Sequence, residues 1–192
     1  IGCGKTLIAQ VFEHLGVAVF YSDTQAKLLY DDEAFLEKIA EHFGRDIIEN
    51  GSLNRRKLAD KVFSDKKELQ ILNSMVHPEV FKRFDEWAEK QHSPYVIMES
   101  AILFENSLQD CFDTIISIST PEEVVLQRVM LRDDCNKEQV LQRIRSQMPQ
   151  EEKNTLADYV ILHDNMTMLL PQILSIHGDI LKHCIKNEKR KN

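Results

Sequence analysis

Apolar positions along the chain follow two rhythms, and their order predicts the architecture. From Thr6 to Leu15, the residues Leu7, Ile8, Val11, Phe12 and Leu15 recur at spacings of one, three and four, which predicts a helix with one buried face, ended by Gly16. Val17-Ala18-Val19-Phe20-Tyr21 then forms an unbroken β-favouring run, as expected of a strand covered on both faces, and it leaves Asp23 at a strand's carboxyl end. Tyr95 to Met98, Thr114 to Ile118 and Tyr159 to Leu162 repeat that composition and predict further buried strands. Thr120-Pro121-Glu122-Glu123 predicts a helix start, with Thr120 as N-cap, proline at the first helical position and a capping-box glutamate. Alternation of strand and helix predicts an α/β fold with a mostly parallel sheet.

Residues 25 to 93 interrupt this alternation with helical patterns: Glu33 to Phe43 stopped by Gly44, Lys66 to Val76, and Glu79 to Gln91. They predict a purely helical subdomain inserted after the Asp23 strand. Glu122 to Gln147 predicts two helices joined by Asp133-Asp134-Cys135-Asn136, an arginine-bearing arm with Arg128, Arg132, Arg143 and Arg145. A last helix is expected from about Met168 to Lys186, followed by a solvated, frayed tail.

Composition narrows the function classes. The 192 residues hold 24 Lys and Arg against 31 Asp and Glu, a formal charge of −7, so no nucleic-acid affinity through a basic surface is expected and an anionic ligand must meet a local cation cluster. Four scattered cysteines, without CxxC or paired histidines, suggest neither a disulfide framework nor a zinc site and fit a reducing cytoplasm. No uncharged run reaches the roughly 18 residues of a membrane helix, so no membrane partner is expected.

Ile1-Gly2-Cys3-Gly4-Lys5-Thr6, just before an amphipathic helix and a buried strand, matches the end of the phosphate-binding loop G-x-x-x-x-G-K-[ST]. In such a loop glycines turn backbone N–H groups toward a polyphosphate, the helix N-terminus adds its dipole, Lys5 reaches the outer phosphates and Thr6 ligates Mg²⁺. The motif's first glycine, and a strand feeding it, are expected before Ile1 in a longer parent chain. A glycine turn capped by a lysine is the plainer alternative.

The other candidates divide in the same way. Asp23 can accept a proton from an attacking hydroxyl or hold Mg²⁺ through water, or it can be the N-cap of a helix at Thr24 to Leu29. Arg128 and Arg132 share a helix face, as do Arg143 and Gln147, and can neutralise phosphate charge or belong to ion-paired solvent faces. His77-Pro78 reads as a helix boundary, Phe81, Phe84 and Trp87 as core, and Cys3 as a small filler within the loop.

Together these segments resemble the dephospho-coenzyme A kinase family nearly end to end. The resemblance is carried by Ile1 to Thr6, Ser22-Asp23 with Ala26-Lys27, His42-Phe43-Gly44, Gly51 to Arg55 with Leu58, Val62-Phe63-Ser64-Asp65, His77-Pro78, Leu103-Phe104-Glu105, Arg128, Arg132, Arg143 with Gln147, and Ala157 to Ile161 with Asn165. It implies a P-loop kinase fold: a nucleotide core at 1–24, 95–127 and 149–192, a helical acceptor-binding subdomain at 25–94, and a lid at 128–148. It also implies transfer of the γ-phosphate of ATP, with Mg²⁺, to the ribose 3′-hydroxyl of dephospho-coenzyme A. On that pattern Gly2, Cys3, Gly4, Lys5 and Thr6 bind the phosphates, with Thr6 on the metal. Asp23 is the base or hydroxyl-orienting group, Lys5 and Arg132 assist transfer, Arg55 and His77 lie on the acceptor side, and Arg128 and Asn165 contact the nucleotide. The chain departs from the pattern in three places: Tyr21 for an aspartate, Ala101 for a proline, and the pair His163-Asp164, which widens the spacing before Asn165. A related nucleoside or nucleotide kinase and a nucleotide-gated switch remain the alternatives.

Overall fold

In the computed structural model, residues 1–191 are described, with the side chains at 63, 64, 66 and 187–191 excepted. The chain divides into two compact units, Ile1–Val19 with Ser93–Asn192, and Phe20–His92.

In the first unit, helix α1 spans Lys5–His14 and buries Ile8, Ala9 and Phe12, the stripe that its apolar spacing predicts; Leu7 stays half exposed. Gly16, at φ +84°, lets the chain reverse into strand β1 (Ala18–Tyr21). The start of β1 pairs with β4 (Val96–Glu99), and β5 (Ile116–Ser119) pairs in parallel with β6 (Tyr159–Leu162), from Ile116 opposite Tyr159 to Ser119 opposite Leu162. The α/β class and the parallel pairing follow the sequence expectation. Burial of the later strands does not: all four β4 residues are half-buried, and in β6 only Ile161 is fully buried, while Val160 and Leu162 are exposed. Leu162 is an edge residue whose N–H and C=O are both satisfied by the Gln172 side chain.

Helix α6 (Glu122–Asp133) begins one residue after Pro121, and no side chain caps it. Thr120 is therefore not the expected N-cap, its hydroxyl being engaged elsewhere. Asp134, in a left-handed turn at φ +48°, leads to α7 (Lys137–Arg145), where Asn136 and Gln139 form a reciprocal capping box. Val125, Val129 and Val140 pack the two helices together. Helix α8 spans Gln150–Leu156, and α9 runs Leu169–Lys191, so the backbone stays helical past the expected frayed point at Lys186. Whether the side chains of that tail are solvated lies outside the described residues. Among the described residues, no helix is long and apolar enough to cross a membrane.

The second unit contains α2 (Ser22–Leu29), α3 (Glu33–Phe43), α4 (Arg55–Ser64) and α5 (Lys66–Ala88). It is not purely helical. Ile48–Glu49 (β2) and Ser52–Leu53 (β3) pair antiparallel around Asn50-Gly51, at φ +51° and +77°, the backbone that a two-residue primed hairpin turn requires. Helix α5 also continues through His77-Pro78, where a boundary was expected. Proline's fixed φ is already helical; its cost is one missing N–H and a ring crowded against the preceding turn. Leu72, Val76 and Val80 hold a buried stripe at four-residue spacing straight across Pro78, and that burial offsets the lost bond. Phe84 and Trp87 pack on Phe20 with ring centroids 5.3 and 5.4 Å apart, the core role expected of those aromatics.

Candidate phosphate-binding site

The loop before α1 is built on glycines at positive φ. Gly2 (+69°) and Gly4 (+91°) adopt conformations that side chains rarely enter. Space forbids substitution as well: a Cβ on Gly2 would meet Val129 Cγ2 at 2.5 Å, and one on Gly4 would meet the His163 ring at 2.4 Å. Helix α1 starts from Gly4 with no side-chain cap and no acidic residue in its first turn. Its leading N–H groups and dipole are therefore available to an anion. A cavity of about 250 Å³ opens there, lined by Gly2, Gly4, Lys5, Thr6, Arg128, Val129 and Arg132. Structure thus assembles in one place the loop glycines, Lys5, Thr6 and two arm arginines picked out from sequence.

Lys5 Nζ lies 3.6 Å from Glu99 Oε1, with the two side chains 24% and 11% exposed. Glu99 ends β4 at the carboxyl edge of an apolar strand, the location that drew attention to Asp23, and sequence reasoning missed it. Arg128 donates from Nη2 to Asn165 Oδ1 and lies against His163, with Nη2 3.0 Å from Nε2 and Nη1 3.1 Å from Nδ1. Asn165 stands at φ +67°, and this residue, expected to contact the nucleotide, is tied here to Arg128. Arg132 binds Asp133 from Nε at 2.7 Å, and Arg143 Nη1 reaches the same carboxylate at 2.7 Å. The ion-paired reading of the arm thus describes Arg132 and Arg143, although Arg132 also borders the cavity. Asp133 is held below the usual carboxylate range, first by its bond to Arg132.

The remaining candidates belong to the second unit. Asp23 is exposed and sits inside the first turn of α2; Tyr21 is the N-cap residue and there is no side-chain cap bond, so the capping reading of Asp23 does not hold. Arg55 is exposed at the start of α4 and acts electrostatically on Tyr30, the C-cap of α2, whose phenol burial pushes up against the opposing pull of Arg55. His77 is half-buried in α5, and burial lowers its pKa, holding the ring toward its neutral form. Helix α5 packs against α2, which carries Asp23.

Glu105, from the Leu-Phe-Glu segment, anchors the chain beyond the arm. Its Oε1 accepts from the Met148 N–H at 2.9 Å and pairs with Lys153 Nζ at 2.6 Å. Burial pushes its pKa up, but the bonds from Lys153 and the backbone outweigh this and leave it below the ordinary glutamate range. A carboxylate with a depressed folded pKa adds stability that is present above its unfolded pKa and is lost as pH falls through the folded value. Glu105→Gln is therefore expected to cost about 1–3 kcal/mol at pH 7, with the gap to wild type closing below about pH 4; urea melts at pH 7 and pH 3.5 check this. A gap that widens in acid would contradict the assignment.

A family model described as dephospho-CoA kinase matches residues 1–168. The chain belongs to the dephospho-CoA kinase family. A dephospho-CoA kinase of Bacteroides fragilis (strain YCH46) is 35% identical over 178 residues, covering 92% of this chain and 87% of that protein. One from Idiomarina loihiensis is 33% identical, covering 98% and 95%. Among solved structures, TT1252 from Thermus thermophilus superposes with a TM-score of 0.81 at 31% identity, covering 95% of this chain and 93% of that one. A dephospho-CoA kinase from Campylobacter jejuni gives 0.65 at 26% identity, covering 95% and 94%. The P-loop fold expected from the resemblance is thereby established.

Proposed function

We propose that the protein transfers the γ-phosphate of ATP to the ribose 3′-hydroxyl of dephospho-coenzyme A. The observation that carries this reading is the uncapped start of α1, opening with Lys5 and two arginines onto one cavity in a chain of this family. In the reaction the acceptor oxygen forms a bond to the γ-phosphorus, the bond to the β-phosphate oxygen breaks, ADP leaves, and the hydroxyl proton goes to a carboxylate. Such transfer asks the protein for positioning and charge neutralisation rather than covalent chemistry.

The roles divide accordingly. The N–H groups of the Gly2 to Lys5 loop and Arg128 hold the phosphates, and Lys5 and Arg132 offset charge on the transferring group. Asp23 orients the acceptor hydroxyl and takes its proton, while Arg55 and His77 serve acceptor binding. Residues 25–94 form the acceptor-binding part and residues 128–148 a lid. Among the described residues no group of three or more His, Cys, Asp or Glu side chains is arranged to hold a metal. A nucleotide-borne Mg²⁺ needs only one or two protein oxygens, and the Thr6 hydroxyl and Glu99 carboxylate are hard donors of the kind it prefers. Bound there, the ion would neutralise phosphate charge.

The full-length protein with MgATP should form ADP only when dephospho-coenzyme A is present, one ADP per coenzyme A. Preference for a nucleoside monophosphate in an acceptor panel would make it a related kinase instead. Slow hydrolysis indifferent to any acceptor would make it a switch.

A further inference from the structure

The peptide oxygen of Cys3, in the middle of the loop, is held twice. Nδ1 of His163 lies 2.8 Å from it, and the Thr120 hydroxyl donates to it at 3.2 Å. Because a carbonyl only accepts, Nδ1 must carry the imidazole proton, which leaves Nε2 with its lone pair. Arg128 lies over the face of the ring, its Nη2 3.0 Å from Nε2. The second approach, Nη1 to Nδ1 at 3.1 Å, joins two donors and is a stacking contact between planar groups. His163 is itself fixed at the end of β6, its N–H donating to Ser119 O at 2.8 Å. Its ring also covers the space where a Gly4 Cβ would stand.

In a trans peptide the C=O and the following N–H point in opposite directions. Holding the Cys3 oxygen back against His163 and Thr120 therefore turns the Gly4 N–H the other way, and Gly4 lines the cavity. We propose that His163 is a positioning residue for the nucleotide: with Thr120 it locks the Cys3–Gly4 peptide with its N–H offered to a phosphate, and it seats Arg128 beside the same cavity. Left unlocked, this peptide would be free to rotate its carbonyl toward the phosphates, replacing a donor with a repelling dipole.

The inference rests on the nucleotide reading of this cavity, and its test separates the two by measuring nucleotide binding without acceptor. Calorimetry with a non-hydrolysable ATP analogue on the full-length protein should show His163→Ala binding about tenfold more weakly, the reach of one lost hydrogen bond. His163→Phe, which fills the ring's volume without a donor, should weaken binding similarly. His163→Asn, whose amide N–H can meet the Cys3 oxygen, should restore affinity to within about threefold. In steady state the KM for ATP should rise in the Ala and Phe variants while the KM for dephospho-coenzyme A stays put. Equal affinity in wild type and the Phe variant, or Asn failing alongside Phe while both melt like wild type, would overturn the proposal. Should the Ala variant melt early, the Phe and Asn pair decides. Wild-type protein that binds the analogue but ignores dephospho-coenzyme A would sink the acceptor assignment and leave this inference standing.

Discussion

Lys5→Ala is expected to lower kcat/KM for ATP by about 10²–10³, the usual loss when one preorganised cation or donor facing the transferring charge is removed. Position in the sequence marks Lys5 as a loop lysine with little core to lose, but the fold gives it a second duty. It stands 3.6 Å from Glu99, a carboxylate only 11% exposed. Deleting the cation takes an ionic neighbour from a largely buried acid, at a cost of about 1–3 kcal/mol, or several degrees of melting temperature for a chain of this size. Pairing Lys5→Ala with Glu99→Gln separates the two effects. The double variant should regain most of the melting temperature and none of the activity. Recovery of activity as well would mean that Lys5 matters only for neutralising Glu99.

Asp23→Asn should leave the Kd for ATP near wild type and reduce kcat by about 10² or more, the reach of a positioned general base. Its structural cost should be small, because the side chain is exposed and makes no cap bond. What disappears is one negative charge in the first turn of an eight-residue helix, worth about 0.3–1 kcal/mol with the helix dipole. A thermal melt beside a single-turnover measurement reads both quantities. Unchanged turnover with a lowered melting temperature would return Asp23 to a purely structural place.

Legibility in the sequence followed the range of the interactions involved. Helix α3 was legible because the Phe35 to Phe43 stripe and the Gly44 stop are local signals. The phosphate loop was equally plain, since its glycines, Lys5 and Thr6 are contiguous. The β2–β3 pair was overlooked although Asn50-Gly51 is a strong hairpin signal, because strands of two residues carry no periodicity to flag them. His77-Pro78 misled because proline's local penalty is visible in sequence, whereas the buried stripe from Leu72 to Val80 that overrides it depends on tertiary packing. His163, Thr120 and Glu99 escaped for a related reason. His163 and Thr120 meet Cys3 across 160 and 117 residues of chain, and Glu99 meets Lys5 across a separation that no spacing rule spans.

Asp133 gives the arm a self-quenching property. With one carboxylate shared by Arg132 and Arg143, these two cations do not stand bare to every passing chloride or acetate. Both pairs are solvent-facing, so letting go is cheap and quick. A lone monovalent anion merely duplicates what Asp133 already supplies, whereas a polyanion offers several negative oxygens at once. On the nucleotide role proposed for the arm, valence is therefore expected to be selected before shape.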